Sequence, residues 1–295
     1  MPDPAWFTGL IDWWSMESLD YSGTGSLPDH AGGGHPGTTV ISTPVIGVND
    51  TTIVTLESTD APPWFCSKGA GVKVRIWPAI ITNHDLAGSN PFQIKAAYGG
   101  SPWYSPSSWT LAIWARADEF GAIAGGPPPL DSYLISDLAI SHYEVMTLIG
   151  DEVSDGASEN GWRIQIGTDG KSVNFTSHST ADITIGTLTD DQWHLYVVTS
   201  DGTTIKTYMD TTPGGTLAHS GFAVSSNSIL WGTRNAEGPG DFGYAQPWNG
   251  SFADTLMWDR ALSADDIVEF FLGLDCAQVY RIKSKIHGVR PTWPL

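Results

Sequence analysis

The sequence predicts an all-β fold: two antiparallel sheets packed face to face, with loop insertions and a C-terminal tail. Three observations predict it. Short runs alternate along the chain, as in Trp109-Thr110-Leu111-Ala112-Ile113-Trp114-Ala115-Arg116. There Trp109, Leu111, Ile113 and Ala115 share one face, and Thr110, Ala112, Trp114 and Arg116 share the other. Turn formers punctuate the chain, with 33 glycines and 19 prolines among 295 residues, as many short strands require. Only 16% of residues are charged, while Thr, Ser, Val, Ile and Trp, which suit a half-buried pleated surface, are abundant.

Residues 5–20 read as a Trp-rich first strand around Ile11-Asp12-Trp13-Trp14. A turn-rich segment follows, from Asp29 to Thr38, where the consecutive Gly32, Gly33 and Gly34 forbid regular structure and permit positive φ. Residues 60–107 read as irregular, with the clusters Pro62-Pro63-Trp64-Phe65 and Pro102-Trp103-Tyr104-Ser105-Pro106. Between the clusters, Val72 to Trp77 alternates like a strand. After the strand at 108–116 comes a Gly/Pro loop at 121–129, then two short strands within 133–149 and an acidic loop at 150–160. Trp162 to Ile166 and Ser172 to Thr176 form a hairpin around the turn dipeptide Asp169-Gly170. A second hairpin runs from Trp193 through Asp201-Gly202 to Asp210. The stretch Trp248 to Trp258 is a Gly turn leading into an alternating strand. Ser263 then caps a short helix, with Asp266 at its third position completing a capping box in place of Glu.

Four of these blocks carry a resemblance. The segment from Trp13 through the Asp29–Gly37 loop, the Trp109–Arg116 strand, Trp193-His194 with Asp201-Gly202, and Ala253-Asp254 followed by Arg260-Ala261-Leu262-Ser263 resemble the LamG-like (concanavalin A-like lectin/glucanase) jelly-roll family. The resemblance implies a two-sheet jelly-roll domain over 1–274, with insertions about 60–107 and 120–160. Residues 275–295 form a separate basic arm, in which Arg281, Lys283, Lys285 and Arg290 stand without an acid among residues 279–290. On an acidic body, such an arm is either a solvated terminus or a docking segment for a neighbour, including another copy of this chain.

The formal net charge is −18, which sets nucleic acid and anionic membrane aside as partners. No 18-residue apolar run is present. Met1-Pro2-Asp3-Pro4 has no basic, apolar leader character, so the chain is expected to be made in a host cytoplasm without a signal peptide. Cys66 and Cys276 read as free buried thiols, with one long-range bridge as the alternative.

Catalytic residues are not predicted. Glucanases of this family carry a Glu-x-Asp-x-x-Glu strand that sets two acids for retaining chemistry, and no such strand occurs. Asp265, Asp266 and Glu269 read as the solvated face of a surface helix. Many LamG-like domains hold a structural calcium, and the resemblance places its ligands at Asp29 and Asp254. One usual acid is missing, because Ala253 precedes Asp254 where the family has two adjacent Asp. The loop Asp151-Glu152-Val153-Ser154-Asp155-Gly156 fails as an EF-hand, with Val153 at position 3 and Trp162 where Glu belongs. His30 and His35 lack the further ligands of a zinc site, and His194 reads as structural. Of the 14 tryptophans, Trp109, Trp193 and Trp258 read as core. Trp64, Trp77, Trp103, Tyr104, Trp231 and Trp248 lie in or beside loops, where flat rings serve sugar faces or protein contacts.

The expected function is a non-catalytic recognition or structural protein of a bacteriophage particle. It would be a minor tail component touching host glycans or a capsid decoration, with other virion proteins and copies of itself as partners. The resemblance supports this through the occurrence of LamG-like domains among phage tail and capsid accessory proteins. A glycan hydrolase or lyase and a stand-alone lectin are the alternatives.

Overall fold

A computed structural model describes residues 5–14, 26–27, 29, 31–40, 53–57, 71–75, 93–97, 108–117, 147–151, 153–154, 159–167, 171–177, 180–188, 192–219, 228–232, 234–236, 244–245 and 250–272. A 3-10 turn, Ala5–Phe7, opens the chain. The first strands are β1 (Leu10–Trp14), β2 (Ser26–Leu27), β3 (Gly37–Val40), β4 (Ile53–Glu57), β5 (Gly71–Arg75), β6 (Gln93–Ala97) and β7 (Trp109–Ala117). Next come β8 (Thr147–Gly150), β9 (Val153–Ser154), β10 (Glu159–Asn160), β11 (Trp162–Ile166), β12 (Ser172–Ser177) and β13 (Thr180–Thr187). The last are β14 (His194–Ser200), β15 (Thr204–Met209), β16 (Thr212–Ala218), β17 (Ser228–Trp231), β18 (Arg234–Ala236), β19 (Tyr244–Ala245) and β20 (Gly250–Trp258). One helix, α1 (Ala264–Leu272), follows. No helix of the described residues is long and apolar enough to cross a membrane.

The fold is the expected all-β antiparallel sandwich. Its first sheet runs β16-β15-β14-β7-β20-β5-β4, with β1 also pairing β20. Its second runs β13-β12-β11-β8-β17-β6-β3-β2. The 60–107 segment supplies β5 to the first sheet and β6 to the second. A small four-stranded sheet, β10-β9-β18-β19, adds a parallel β9–β18 pair that the two-sheet expectation did not contain.

The alternation in β7 does what its spacing dictates. Leu111, Ile113 and Ala115 enter the core between the sheets with Tyr196, Val198, Phe175, Trp231 and Trp14. The opposite face of the same sheet is also buried. Ala112, Trp114, Leu195, Val197, Ala253, Leu256 and Trp258 form a second apolar cluster with Trp6, Ile267 and Phe270. The 3-10 turn and α1 thus cover the outside of the first sheet. Trp6 meets Phe270 edge to face at 5.0 Å, and Trp114 stacks on Phe271 at 5.6 Å, geometries that aromatic quadrupoles favour. Arg260 joins the two covers: its guanidinium donates to Ala5 O and Thr8 O and pairs with Asp266 at 2.9 Å.

On one side the two sheets close on each other. The Thr207 hydroxyl, on β15, lies 2.9 Å from Thr184 O, on β13. A Cβ on Gly214 would stand 2.4 Å from Ile185 O, and one on Gly186 would stand 2.6 Å from Met209 Sδ. Glycine lets β13 approach β15 and β16 more closely than any side chain permits.

Candidate functional site

A group of charged and polar side chains, part of it fully buried, lies where β1 passes under the glycine loop. The sequence Leu-Ile-Asp-Trp-Trp places a carboxylate inside an otherwise apolar strand. β1 is fixed by β20, Trp13 opposite Leu256 and Trp14 opposite Thr255. Asp12 and Asp254 are fully buried. Both need partners there, because an uncompensated buried charge is costly.

The loop brings those partners. His35 Nδ1 sits 2.9 and 3.1 Å from the two Asp12 oxygens. Burial pushes the Asp12 carboxyl up to about 7; the His35 hydrogen bond opposes this, and the charge of Asp29 adds to it. Asp29 Oδ1 accepts the N–H groups of Trp13 and Ala31, and its Oδ2 accepts that of Gly34. Trp13 also donates its indole N–H to Asp254 Oδ1 at 2.7 Å, and Trp14 donates its own to His35 O at 2.7 Å. The glycines differ in what they supply. Gly32 and Gly34 both take φ +87°, a left-handed backbone. Gly33 supplies space, since a Cβ there would stand 2.3 Å from Ile11 O and 2.4 Å from Asp12 Oδ1.

Calcium is held by six to eight oxygens. Nitrogen donors reach all three acids, an imidazole, an indole and three backbone amides, and the Asp12 and Asp29 carboxyls also hydrogen-bond each other. Ala253, where the family's second acid would stand, is fully buried in the outer apolar cluster. This donor set does not fit the calcium ion expected at Asp29 and Asp254. Among the described residues, no three His, Cys, Asp or Glu side chains converge as a metal set. Asp12 and His35 are the partners that the sequence reading missed; the available signal was an acid in an apolar strand facing a loop histidine.

Other carboxylates are likewise committed to structure. Asp151 Oδ1 accepts Trp162 N–H at a strand corner. Asp210 accepts Leu195 N–H and contacts His194 Nδ1 at 2.9 Å, so His194 is structural as expected. Asp266 is a correction to the solvated helix face: it is buried and takes Ser263 N–H, the Ser263 hydroxyl and Arg260. Asp265 and Glu269 are exposed. Ser200 Oγ lies 2.7 Å from His219 Nε2, which looks like a nucleophile and its base. Ser200 is fully buried, however, and its oxygen accepts Gly202 N–H, so the pair pins a hairpin turn.

Trp231 is a second correction. It was expected at a loop contact, yet it is fully buried, 5.2 Å edge to face from Trp14, with its N–H on Thr255. An alternating strand reaching the inter-sheet core gives it no path to a ligand. Trp109 and Trp258 are core as expected, and Trp193 is half-buried beneath Arg116 at 5.6 Å. Trp64, Trp77, Trp103, Tyr104, Trp248, His30, Cys66, Cys276, Arg281, Lys283, Lys285 and Arg290 lie outside the described residues.

The model of the concanavalin A-like lectin/glucanase superfamily matches residues 139–268. No curated protein sequence matches the chain. Among solved structures, the binding domain of botulinum neurotoxin serotype D aligns with a TM-score of 0.52 at 11% identity, over 90% of this chain and 51% of that one. The binding domain of botulinum neurotoxin DC in complex with rat synaptotagmin II gives 0.53 at 13% identity, over 91% and 52%. The same domain in complex with SialylT gives 0.51 at 12%, over 90% and 51%. The chain spans about half the length of these structures. The likeness is one of fold, the concanavalin A-like sandwich.

Proposed function

We propose that this chain is a non-catalytic recognition protein of a virus particle, a minor tail component or capsid decoration, that uses a lectin-like sandwich to hold loop aromatics against host glycans. One observation carries the non-catalytic part. The carboxylates buried in the described sandwich, Asp12, Asp151, Asp254 and Asp266, are engaged by backbone N–H, indole, imidazole or guanidinium groups. Two carboxyls flanking a cleft, as glycoside hydrolysis needs, are not among them. A rigid core whose buried acids each carry a structural contact suits presentation better than bond breaking. Binding domains of similar fold have been solved in complex with SialylT and with synaptotagmin II, which supports a recognition role.

The test is a glycan array with the purified chain. Binding that is lost in Trp103→Ala or Trp64→Ala supports the reading. No binding to any glycan or host surface overturns the recognition role, and sugar release from host cell-wall polysaccharide overturns the non-catalytic one. Deleting residues 277–295 should abolish particle incorporation if the basic arm docks on a neighbour; unchanged incorporation removes the arm from the proposal.

A further inference from the structure

We propose that the glycine loop of this chain is fastened to β1 without a divalent cation, by His35 and a set of backbone N–H groups in place of the calcium that the family resemblance implies. The inference is independent of glycan recognition. Three observations converge on it.

First, the two loop-side carboxylates are addressed by hydrogen donors. Asp29 receives three backbone N–H groups at 2.9–3.0 Å, from Trp13, Ala31 and Gly34. Second, Asp12 is fully buried and faces His35 through both of its oxygens, with Nδ1 at 2.9 and 3.1 Å. An imidazole side chain thus occupies the position next to the buried acid, and the Gly33 backbone packs directly against it. Third, β20 carries Ala253 where the family resemblance implies an acid. Ala253 packs among Trp13, Leu256 and Trp258, and the adjacent Asp254 is turned onto the Trp13 indole. Hard divalent cations bind through oxygen, and this arrangement offers nitrogen-borne hydrogens instead.

Trp13 links the parts. Its amide belongs to the Asp29 set and its indole to Asp254. One residue of β1 therefore ties the loop to the last strand, a connection that a bound ion would otherwise make.

The experiment is thermal unfolding of the full chain in EDTA and in millimolar calcium, beside His35→Ala. A site of ordinary extracellular strength, Kd on the order of 10⁻⁴ M, raises the folding equilibrium constant about a hundredfold at about 10 mM calcium. The expected result is superimposable wild-type curves in the two buffers. A wild-type midpoint that climbs several degrees with calcium overturns the proposal. In EDTA, His35→Ala should lower the folding equilibrium constant about a hundredfold, because Asp12 stays buried with its partner gone. A His35→Ala midpoint equal to the wild type also overturns it, since His35 then fastens nothing.

Discussion

Asp210 holds a left-handed backbone, φ 58°, alone among the described residues that are not glycine. It sits at the β15–β16 turn, and its carboxylate holds the start of β14 through Leu195 N–H and His194. Asn tolerates this conformation and Ala does not. Asp210→Ala should therefore lose about 2 kcal/mol in urea unfolding, and Asp210→Asn less than half of that. Asp266 gives a pH signature. Burial works against its charge, but Arg260 and Ser263 overcome this and hold its carboxyl below the ordinary 3.8. A lowered folded-state value contributes stability above 3.8, and that stability is lost as pH falls through the folded value. Asp266→Asn should thus be the weaker variant at pH 5, by about 1 kcal/mol, and should converge with the wild type as the pH approaches 2 in acid titration. The Ser263–Asp266 box was legible because capping is local. The role of Asp29 was not: its loop position announced a ligand-binding acid, and only the folded path of Trp13 and Gly34 shows that amides fill it.

At the level of elements, strands whose residues alternate cleanly were readable. β1, β5, β7, β11, β12, β14, β15 and β20 appear where periodicity and turn dipeptides put them. β16 was not readable, because Thr-Pro-Gly-Gly-Thr spells a loop. An edge strand tolerates proline, and its glycines serve the close approach of β13. Gly214→Ala would drive a methyl against Ile185 O, Thr184 O and the Thr207 hydroxyl at 2.4–2.8 Å. The expected loss is about 2–3 kcal/mol in urea unfolding, with faster hydrogen exchange confined to β13, β15 and β16. A neutral substitution would show that the edges are not in contact in solution.

For the molecule as a whole, the central strands β7, β14 and β20 of the first sheet are buried on both faces, between the second sheet and the layer made by the 3-10 turn and α1. The sequence showed both faces of β7 as distinct but could not show that each would be covered, because Trp6 and Phe270 are far from it along the chain. Loss of the outer layer should therefore act on the entire domain. Trp6→Ala should lower global stability by about 3–5 kcal/mol, with far-UV circular dichroism and tryptophan fluorescence reporting one shared transition. Two separate transitions would mean that the outer cluster is an appendage.

The sealed side at β13 and β16 has a bearing on how copies could associate. Ribbons of molecules grow by adding a strand at open sheet borders. Here β13 covers the β16 border, which leaves the first sheet only β4 and the second only β2 at their far ends. Among the described strands, joining between molecules is thereby confined to β4 and β2, and no copy can add at the sealed side.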